Sequence, residues 1–432
     1  MAPDFKRLAW NASGATQCYA KKKTIRSYVV EVILSSAVDG QLLQQAVDRT
    51  LVRLPYYRWS IVRHRGRFYY AENDLPFLVA EHDGPRYLGG ADTNYHVIDV
   101  TYFGEKIDFA MWHTLCDGLG FNRFIEAVLY HYMCLKDGVA YDDEGVYTER
   151  VPFDEAETLD PFHKRGKISL REMKELSRTD GRFHFPELDE PDGKGPEMHR
   201  LPLSIKTEEF LAWCKANGSS PAAAVAAIMA KGIAREHKVD EGTIMAVVPI
   251  SVRRHLNAEK TFKNCDVAVF VGMDAADVNA LSTGELAGKA RTVLKDQMNN
   301  GTAERVYAAM STIVHLGSKM PTFGLKTALL ATSENHPQNT FFVDYVGSLR
   351  AKGFEDQILE VRYLNPDPGC GSCFVLMSET AGRFHINLTQ SFASDRYYQA
   401  FCAVLDDEGI AYERLERGTY LNPAIERPQE RR

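Results

Sequence analysis

The chain has 432 residues, of which 45% are hydrophobic and 25% are charged, a balance typical of a soluble globular protein. A chain of this length exceeds one ordinary hydrophobic core, so we expect two lobes or domains. The formal net charge is −7, and the sequence contains no long basic stripe that could bind phosphate groups. Both observations argue against nucleic acid as a partner.

The sequence predicts a cytoplasmic protein without a metal centre. No apolar run approaches the roughly 18 residues of a membrane span, and the first residues lack the apolar stretch of a signal peptide. Eight scattered cysteines fit a reducing compartment. Cys370 and Cys373 form a C-x-x-C, but a zinc site would need a second pair and a redox site a following helix. We therefore predict no metal ligands.

The first part of the chain alternates strand and helix signals. Apolar and β-branched runs predict strands, a 3.6-residue period predicts a helix that Pro55 ends, and a central Gly66 predicts a hairpin. In order, these predicted elements are a strand over Tyr28–Leu34, a helix over Gln41–Leu54, a hairpin of Trp59–Arg63 with Arg67–Tyr70, and strands over Tyr95–Tyr102 and Glu105–Trp112.

The stretch Ile107–Leu135 carries the strongest chemical signal. A short apolar run ends at Trp112, a polar knuckle runs from His113 to Gly118, and helical periodicity then extends to Leu135. Gly118 and Gly120 lie at the predicted strand-to-helix break, where a tight turn is easiest without a Cβ atom. The pattern therefore predicts a histidine and an aspartate, four residues apart, on a loop fixed by packing on both sides.

This spacing suits general-base catalysis. A neutral imidazole at His113 could remove a proton from an attacking hydroxyl or amine. Asp117 would anchor the loop by pairing with an arginine. An alternative remains open from spacing alone, in which His113 is a hydrogen-bonded turn residue and Asp117 only caps the helix.

The second half begins after a change in composition. Residues 139–199 are rich in charged residues, Pro and Gly, which favours a crossover segment. The later pattern predicts Ser220 as an N-cap with Pro221 at the first helical position. Further predicted strands cover Arg200–Ile205, Thr243–Ile250, Phe262–Met273, Thr340–Gly347, Cys373–Glu379 and Gly382–Thr389, and further helices cover Thr207–Lys215, Ala222–Glu236, Gly284–Met298, Thr302–Leu316, Phe323–Ala331 and Asp395–Asp406.

The segment Trp112–Gly118 resembles the HHxxxDG motif of the chloramphenicol-acetyltransferase-like superfamily. That group includes condensation domains of nonribosomal peptide synthesis, polyketide-associated acyltransferases, wax-ester synthases, alcohol acetyltransferases and the plant BAHD enzymes. The chain length, the position of the motif and the order of the other segments agree with this resemblance. The first histidine of the motif is Trp112 here, whereas the second, which is the base in this family, is His113.

The resemblance implies an α/β fold, an α+β sandwich of two acyltransferase lobes with mixed sheets flanked by helices. An active-site tunnel would lie at the interface of the lobes. Residues 1–150 would form the lobe that carries the motif, residues 151–197 the crossover linker, and residues 198–432 the second lobe.

The resemblance also assigns site residues. His113 would be catalytic, and Asp117, Gly118 and Arg253 would support it. Relatives place a D-x-R-like element where this chain has Ser251-Val-Arg253, which makes Arg253 the expected partner of Asp117 and Arg254 the second candidate.

The resemblance also indicates residues at the interface between the two lobes. Trp112, Arg254 and Gly347 are the residues expected at the tunnel or the lobe interface. Gly347 ends a strand that resembles the one before an NxG turn in condensation-like enzymes, with Tyr345 in place of the Asn.

The function implied is transfer of an acyl group from a coenzyme A thioester to an alcohol or amine, without an acyl-enzyme. Acyl-coenzyme A would be a co-substrate, with no permanently bound cofactor. An alternative is a carrier-protein-dependent condensation or off-loading enzyme. Another is a non-catalytic binding protein on the same fold, which Trp112 and Tyr345 favour and the intact His113, Asp117 and Gly118 oppose.

Overall fold

The computed structural model describes residues 6–7, 18, 26–64, 67–161, 168–169, 171–172, 182–194, 197–334, 340–365 and 373–424. The fold is a mixed α/β arrangement of sheets flanked by helices. Its strands are β1 (Lys6–Arg7), β2 (Ser27–Leu34), β3 (Ser60–His64), β4 (Arg67–Ala71), β5 (Ala80–Glu81), β6 (Ile98–Phe103), β7 (Lys106–Trp112), β8 (Glu197–Lys206), β9 (Thr243–Ser251), β10 (Asp266–Asp274), β11 (Phe341–Gly347), β12 (Ile358–Leu364), β13 (Cys373–Thr380), β14 (Arg383–Gln390), β15 (Tyr412–Arg414) and β16 (Gly418–Leu421). Its helices are α1 (Gly40–Arg53), α2 (Gly118–Asp137), α3 (Thr207–Ala216), α4 (Pro221–Glu236), α5 (Ala275–Ala280), α6 (Thr283–Asn299), α7 (Thr302–Lys319), α8 (Phe323–Glu334) and α9 (Arg396–Asp407).

The first lobe is built on a sheet with the strand order β12-β2-β7-β6-β5. Strand β7 lies at its centre, antiparallel to both β2 and β6. Because side chains alternate along a strand, Val30, Val32 and Phe109 share one face and join the core formed with α1 and α2. Each such buried side chain contributes roughly 1.5–3 kcal/mol. This core holds the end of β7, where the motif loop begins.

Helix α2 follows the motif loop and is buried along most of its length. Phe121, Phe124, Ile125 and Val128 recur at helical spacing and are fully buried. The helix ends at Gly138, whose φ of 67° is the left-handed conformation of a C-cap. The predicted helix and its predicted end are both confirmed.

The second lobe is built on a larger sheet with the order β10-β9-β11-β13-β14-β8-β15, in which β16 also pairs with β8. Strand β11 runs parallel to β9 and β13, while the remaining pairs are antiparallel, so the sheet is mixed. One face packs against α4, α6 and α9 in a second hydrophobic core. Phe374 and Leu376, on the opposite face, belong to the core of the first lobe.

One strand crosses between the lobes. Strand β12 lies in the second half of the chain but pairs antiparallel with β2 of the first sheet, with Tyr363 opposite Val30. The hydroxyl of Ser378 on β13 also donates to the carbonyl of Val361 on β12. The lobes are therefore joined by backbone pairing as well as by side-chain packing. The sequence pattern did not reveal this strand.

Most predicted elements agree with the structure to within about three residues, with two instructive differences. The strand predicted from Phe262 begins only at Asp266, because the preceding backbone is used elsewhere: the Phe262 N–H donates to the carbonyl of Glu157, and the Cys265 N–H donates to a carboxylate. Ser220 occupies the N-cap position of α4, as predicted, but its side chain makes no capping hydrogen bond.

The crossover between the lobes is tied to both. Glu157 is buried and forms an ion pair of 2.7 Å with Arg53 at the end of α1, and Lys260 of the second lobe reaches Asp154 at 2.6 Å. Among the residues that the structure describes, no helix is long and apolar enough to cross a membrane.

Candidate active site

His113 lies directly after β7, at the interface of the two lobes. Its backbone N–H donates to the carbonyl of Arg26 at 3.0 Å, which extends the pairing of β7 with β2 by one step. The imidazole packs edge-on against Tyr28, with the ring centres 5.9 Å apart. His113 as a whole residue is half-buried.

A single hydrogen bond determines the tautomer of this histidine. Nδ1 of His113 lies 3.0 Å from the carbonyl oxygen of Cys116. A carbonyl oxygen can only accept, so Nδ1 carries the hydrogen and donates it. In the neutral ring, the lone pair is therefore on Nε2.

The surroundings of His113 favour its neutral form. Burial lowers the pKa of His113 below its ordinary value, and the positive charge of Arg26 lowers this pKa further, against an opposing contribution from Asp117. A histidine of this kind is unprotonated at neutral pH and can accept a proton at Nε2.

Asp117 both caps α2 and binds Arg253. Its Oδ1 accepts from the backbone N–H of Gly120 at 2.8 Å, and its Oδ2 accepts from the N–H of Cys265 at 2.9 Å. Two guanidinium nitrogens of Arg253 each lie 2.7 Å from one carboxylate oxygen, so the ion pair is bidentate. Burial opposes ionisation of Asp117, yet Arg253 and these N–H donors keep its pKa below the ordinary value.

Arg253 is saturated with acceptors. Besides Asp117, it donates to the carbonyls of Thr261 and Lys263 and, at 3.1 Å, to the hydroxyl of Ser251. Ser251 therefore contacts the same guanidinium even though it replaces the acid of the related motif. Arg254, the second candidate partner, has an exposed side chain and does not contact Asp117.

Tyrosines that the sequence analysis did not assign to the site hold the motif loop. The hydroxyl of Tyr56 donates to the carbonyl of Leu115, and that of Tyr70 donates to the carbonyl of Thr114 at 3.1 Å. Their rings pack edge-on, 6.0 Å apart. The run Leu54-Pro-Tyr-Tyr-Arg was a usable signal for Tyr56, but nothing local indicated which carbonyl it would reach.

The two glycines of the motif differ in how closely their neighbours approach. Neither Gly118 nor Gly120 has a positive φ, but a Cβ atom on Gly120 would lie 2.9 Å from the Cβ of Cys116 in the same turn, as the prediction of a tight turn without a Cβ atom requires. A Cβ atom on Gly120 would lie 2.1 Å from the carbonyl oxygen of Phe262, so glycine allows α2 to approach that segment. A Cβ atom on Gly118 would make ordinary contacts with Tyr28 at 3.4 Å and Val346 at 3.6 Å.

Trp112 and Gly347 have no contact with the imidazole that the described structure records. Trp112 packs against the small cluster that contains Ala110 and Leu364 and also against the core of the first lobe, and its indole nitrogen is buried without a hydrogen-bond partner among the described residues. Gly347 ends β11 with a φ of 85°, and a Cβ atom there would meet no other atom within 4 Å.

Strands β10 and β11 bring acidic side chains toward this site. Asp344 on β11 and Asp266 at the start of β10 both interact electrostatically with Asp117 and with the hydroxyl of Tyr28. Burial raises the pKa of Asp344, and the negative charge of Asp117 raises it further, to about 7. The same two causes raise the pKa of Asp266, so the proton of the Asp117–Asp266 pair resides on Asp266.

No metal cluster is found in the described part of the chain. No group of three or more His, Cys, Asp or Glu side chains there could hold a metal ion. Cys373 begins strand β13, whereas Cys370 lies outside the described residues. A cavity of about 630 Å³ is lined by Tyr56, Trp59 and Phe262 but does not include His113.

Comparison with known proteins identifies the fold. No protein-family model matches the chain, and no curated protein matches it. Several solved structures do. Polyketide synthase associated protein 5 from Mycobacterium tuberculosis has a TM-score of 0.62 at 13% identity, covering 94% of this chain and 98% of that one.

Two other similar structures come from different enzymes. TRI101 of F. sporotrichioides, in complex with coenzyme A and T-2, has a TM-score of 0.61 at 11% identity and covers 93% of this chain and 98% of its own. The first condensation domain of the CDA synthetase has a TM-score of 0.60 at 13% identity, with 95% and 98% covered. This chain therefore has the fold that polyketide synthase associated protein 5, TRI101 and this condensation domain share.

Proposed function

We propose that this protein is an acyltransferase that moves an acyl group from a coenzyme A thioester to an alcohol or amine. The observation that carries the proposal is the hydrogen bond from Nδ1 of His113 to the carbonyl of Cys116, at 3.0 Å. It leaves the lone pair on Nε2 of a half-buried histidine whose lowered pKa keeps the ring neutral. The arrangement supplies a general base at the interface of the lobes.

In the proposed reaction, Nε2 of His113 removes the proton of the acceptor hydroxyl or amine as it attacks the thioester carbonyl. The tetrahedral intermediate then releases the thiolate, and the imidazolium returns the proton to the leaving sulfur. No acyl-enzyme forms. A positioned general base typically contributes roughly 10²–10⁴ to the rate.

In this proposal, Asp117 and Arg253 position the base without touching the substrate. Asp117 is fully buried and Arg253 is 3% exposed, and the bidentate pair joins the start of α2 to the second lobe. Because Cys116 immediately precedes Asp117, the pair also holds the carbonyl that orients the imidazole. Gly118 leaves the space beside Tyr28 and Val346 open.

Coenzyme A is the proposed donor because similar structures include TRI101 with coenzyme A and with ethyl coenzyme A. A carrier-protein thioester is the second candidate, since the fold is equally that of a condensation domain and of the epimerization domain from tyrocidine synthetase B. Both donors place a thioester carbonyl before the same base, so the proposed role of His113 is independent of this choice.

The test is release of free thiol from acetyl-, butyryl- and palmitoyl-coenzyme A with a panel of alcohols and amines. Wild type is compared with His113→Ala and with His255→Ala, a histidine that lies on the surface of the second lobe. We expect acceptor-dependent release that falls by about 10²–10⁴ in His113→Ala and persists in His255→Ala. Release that persists in His113→Ala would contradict the role of this base, and a well-folded wild type that releases no thiol would contradict coenzyme A as donor.

A further inference from the structure

The face of strand β11 that is directed toward the first lobe carries one acidic residue among apolar ones. Phe341 and Val343 belong to the core of the second lobe, whereas Phe342 and Val346 pack against the core of the first. Asp344 lies between Phe342 and Val346 on the same face. Val346 reaches to within 3.6 Å of the Cβ position of Gly118, next to the catalytic histidine's loop.

Acidic groups outnumber the cations at this place, which are Arg253 and, acting on His113, Arg26. Three carboxyls, those of Asp117, Asp266 and Asp344, interact with one another. Arg253 is engaged with both oxygens of Asp117 and with other acceptors. No cation appears among the groups that shift the pKa of Asp344. A buried carboxylate without a cation is costly, and a cationic group brought by a ligand would remove that cost.

A second, independent observation is a buried polar group beside His113 that lacks a partner. The hydroxyl of Tyr28 is buried and has no hydrogen-bond partner within the described part of the chain, although an unsatisfied buried polar group costs roughly 1–3 kcal/mol. This hydroxyl lies 3.4 Å from the Cβ position of Gly118 and interacts with both Asp344 and Asp266. Its ring also contacts His113. A polar ligand atom beside His113 would satisfy it.

Asp344 as a whole residue is half-buried, and its carboxyl is surrounded by protein. Its pKa of about 7 means that the carboxyl holds its proton for part of the time at neutral pH. An ammonium group could displace this proton on binding.

We propose that the acceptor carries a cationic nitrogen in addition to the nucleophilic hydroxyl or amine, and that Asp344 binds this cation. The inference rests on the proposed function and names the acceptor class of the same site, an amino alcohol or a diamine. The nucleophilic group would lie at Nε2 of His113 and the ammonium at Asp344, with the hydroxyl of Tyr28 between them. The ammonium keeps its protons and takes no part in the transfer. In the transfer, the O–H or N–H bond of the acceptor and the C–S bond of the thioester break. A new C–O or C–N bond and the S–H bond of the thiol form.

The experiment compares acceptors that differ only in charge. The amino alcohols from 3-amino-1-propanol to 6-amino-1-hexanol are paired with the alkanols from 1-butanol to 1-heptanol, in which a methyl group replaces the ammonium. Wild type, Asp344→Asn and Asp266→Asn are assayed with acetyl-coenzyme A. Asp274→Asn, at the exposed far end of β10, is the matched control.

We expect wild type and Asp274→Asn to prefer the amino alcohol of the best length. In Asp344→Asn, the ratio of kcat/KM for amino alcohol over alkanol should fall about 10- to 100-fold, as for a lost hydrogen bond to a charged group. Equal use of both acceptors by wild type, or a preference unchanged in Asp344→Asn, would overturn the inference and leave the proposed function standing.

Calorimetric titration of the same amino alcohols into the full chain gives a readout that does not need turnover. Binding that is present in wild type and lost in Asp344→Asn, without any thiol release, would support the cation site and contradict coenzyme A as the donor of the proposed function. Absence of binding to wild type across the series would overturn the inference. Circular dichroism of each variant establishes that the fold is kept.

Discussion

The ion pair between Asp117 and Arg253 gives a sharp test of how the site is held together. Changing Arg253 to Met keeps much of the side-chain volume but removes both hydrogen bonds of 2.7 Å to the carboxylate. Asp117 is fully buried, so its charge would be left without a cation. Removing one partner of a buried pair costs about 3–5 kcal/mol.

This cost can be converted into a change in melting temperature. An unfolding entropy of roughly 2.1 cal/mol/K per residue over 432 residues amounts to about 0.9 kcal/mol/K. Arg253→Met should therefore lower Tm by about 3–6 °C in a differential scanning experiment. Arg254→Met, its exposed neighbour, is the control and should change the free energy of unfolding by less than about 0.5 kcal/mol.

A second substitution distinguishes the cost of an unpaired buried charge from the cost of lost packing. In the double variant Asp117→Asn/Arg253→Met, no charge is left unpaired, so Tm should exceed that of Arg253→Met alone. The pKa of Asp117 is lowered in the folded state, so the stability that this carboxylate contributes is present above its unfolded pKa of about 3.9 and is lost as the pH falls through the folded value. If Arg253→Met melted like Arg254→Met, or if the double variant were no more stable than the single one, the assignment of a buried, structure-supporting pair would be wrong.

Three further predictions concern the base, the helix start and a buried amine. Because burial and Arg26 lower the pKa of His113, kcat/KM should fall as the pH drops through a midpoint below 6.5, and Arg26→Met should move this midpoint to higher pH, as measured in a pH–rate profile. Gly120→Ala places a Cβ atom 2.1 Å from a backbone carbonyl oxygen, so it should cost at least about 1–3 kcal/mol in thermal unfolding, whereas Gly118→Ala should leave the fold intact. Burial lowers the pKa of Lys263 to about 8, a penalty of about 3 kcal/mol, and in the described part of the chain its Nζ makes no hydrogen bond or ion pair. Lys263→Met should therefore raise Tm at pH 7 by a margin that shrinks between pH 8 and about 10.5, where the unfolded chain also loses its proton.

Local signals were enough to predict the strand, loop and helix around the motif. The strand ends at Trp112 as predicted, and the helix of Gly118–Asp137 extends the predicted one by only one or two residues at each end. Each boundary has a short-range cause that the sequence displays: an apolar run, an Asp that caps, and Gly138 in a left-handed conformation. Elements of this kind can be inferred without knowledge of their neighbours.

Pairings between distant segments were not visible in the same way. Strand β12 was missed although Ile358–Leu364 alternates apolar and charged side chains over part of its length, because a short strand before a Pro- and Gly-containing segment gives a weak signal. Its partner is β2, more than 300 residues earlier, so nothing local indicates that it joins the first lobe. The predicted boundary at residue 198 therefore does not divide the sheets, because the first sheet contains β12 from the second half of the chain.

In the candidate site, too, the sequence indicates which residue types could act, but not which distant residues lie next to them. The motif identifies His113 by its residue type and spacing, while Asp344 stands alone in an apolar strand, where its one signal is a charge within a segment predicted to be buried. Such a charge requires a compensating partner, and for Asp117 that partner is Arg253. For Asp344, burial raises the pKa and no cation contributes to it. The chain provides a cation for Asp117 but none that acts on Asp344. For this physical reason we assign Asp117 to support of the base and propose that Asp344 binds the acceptor.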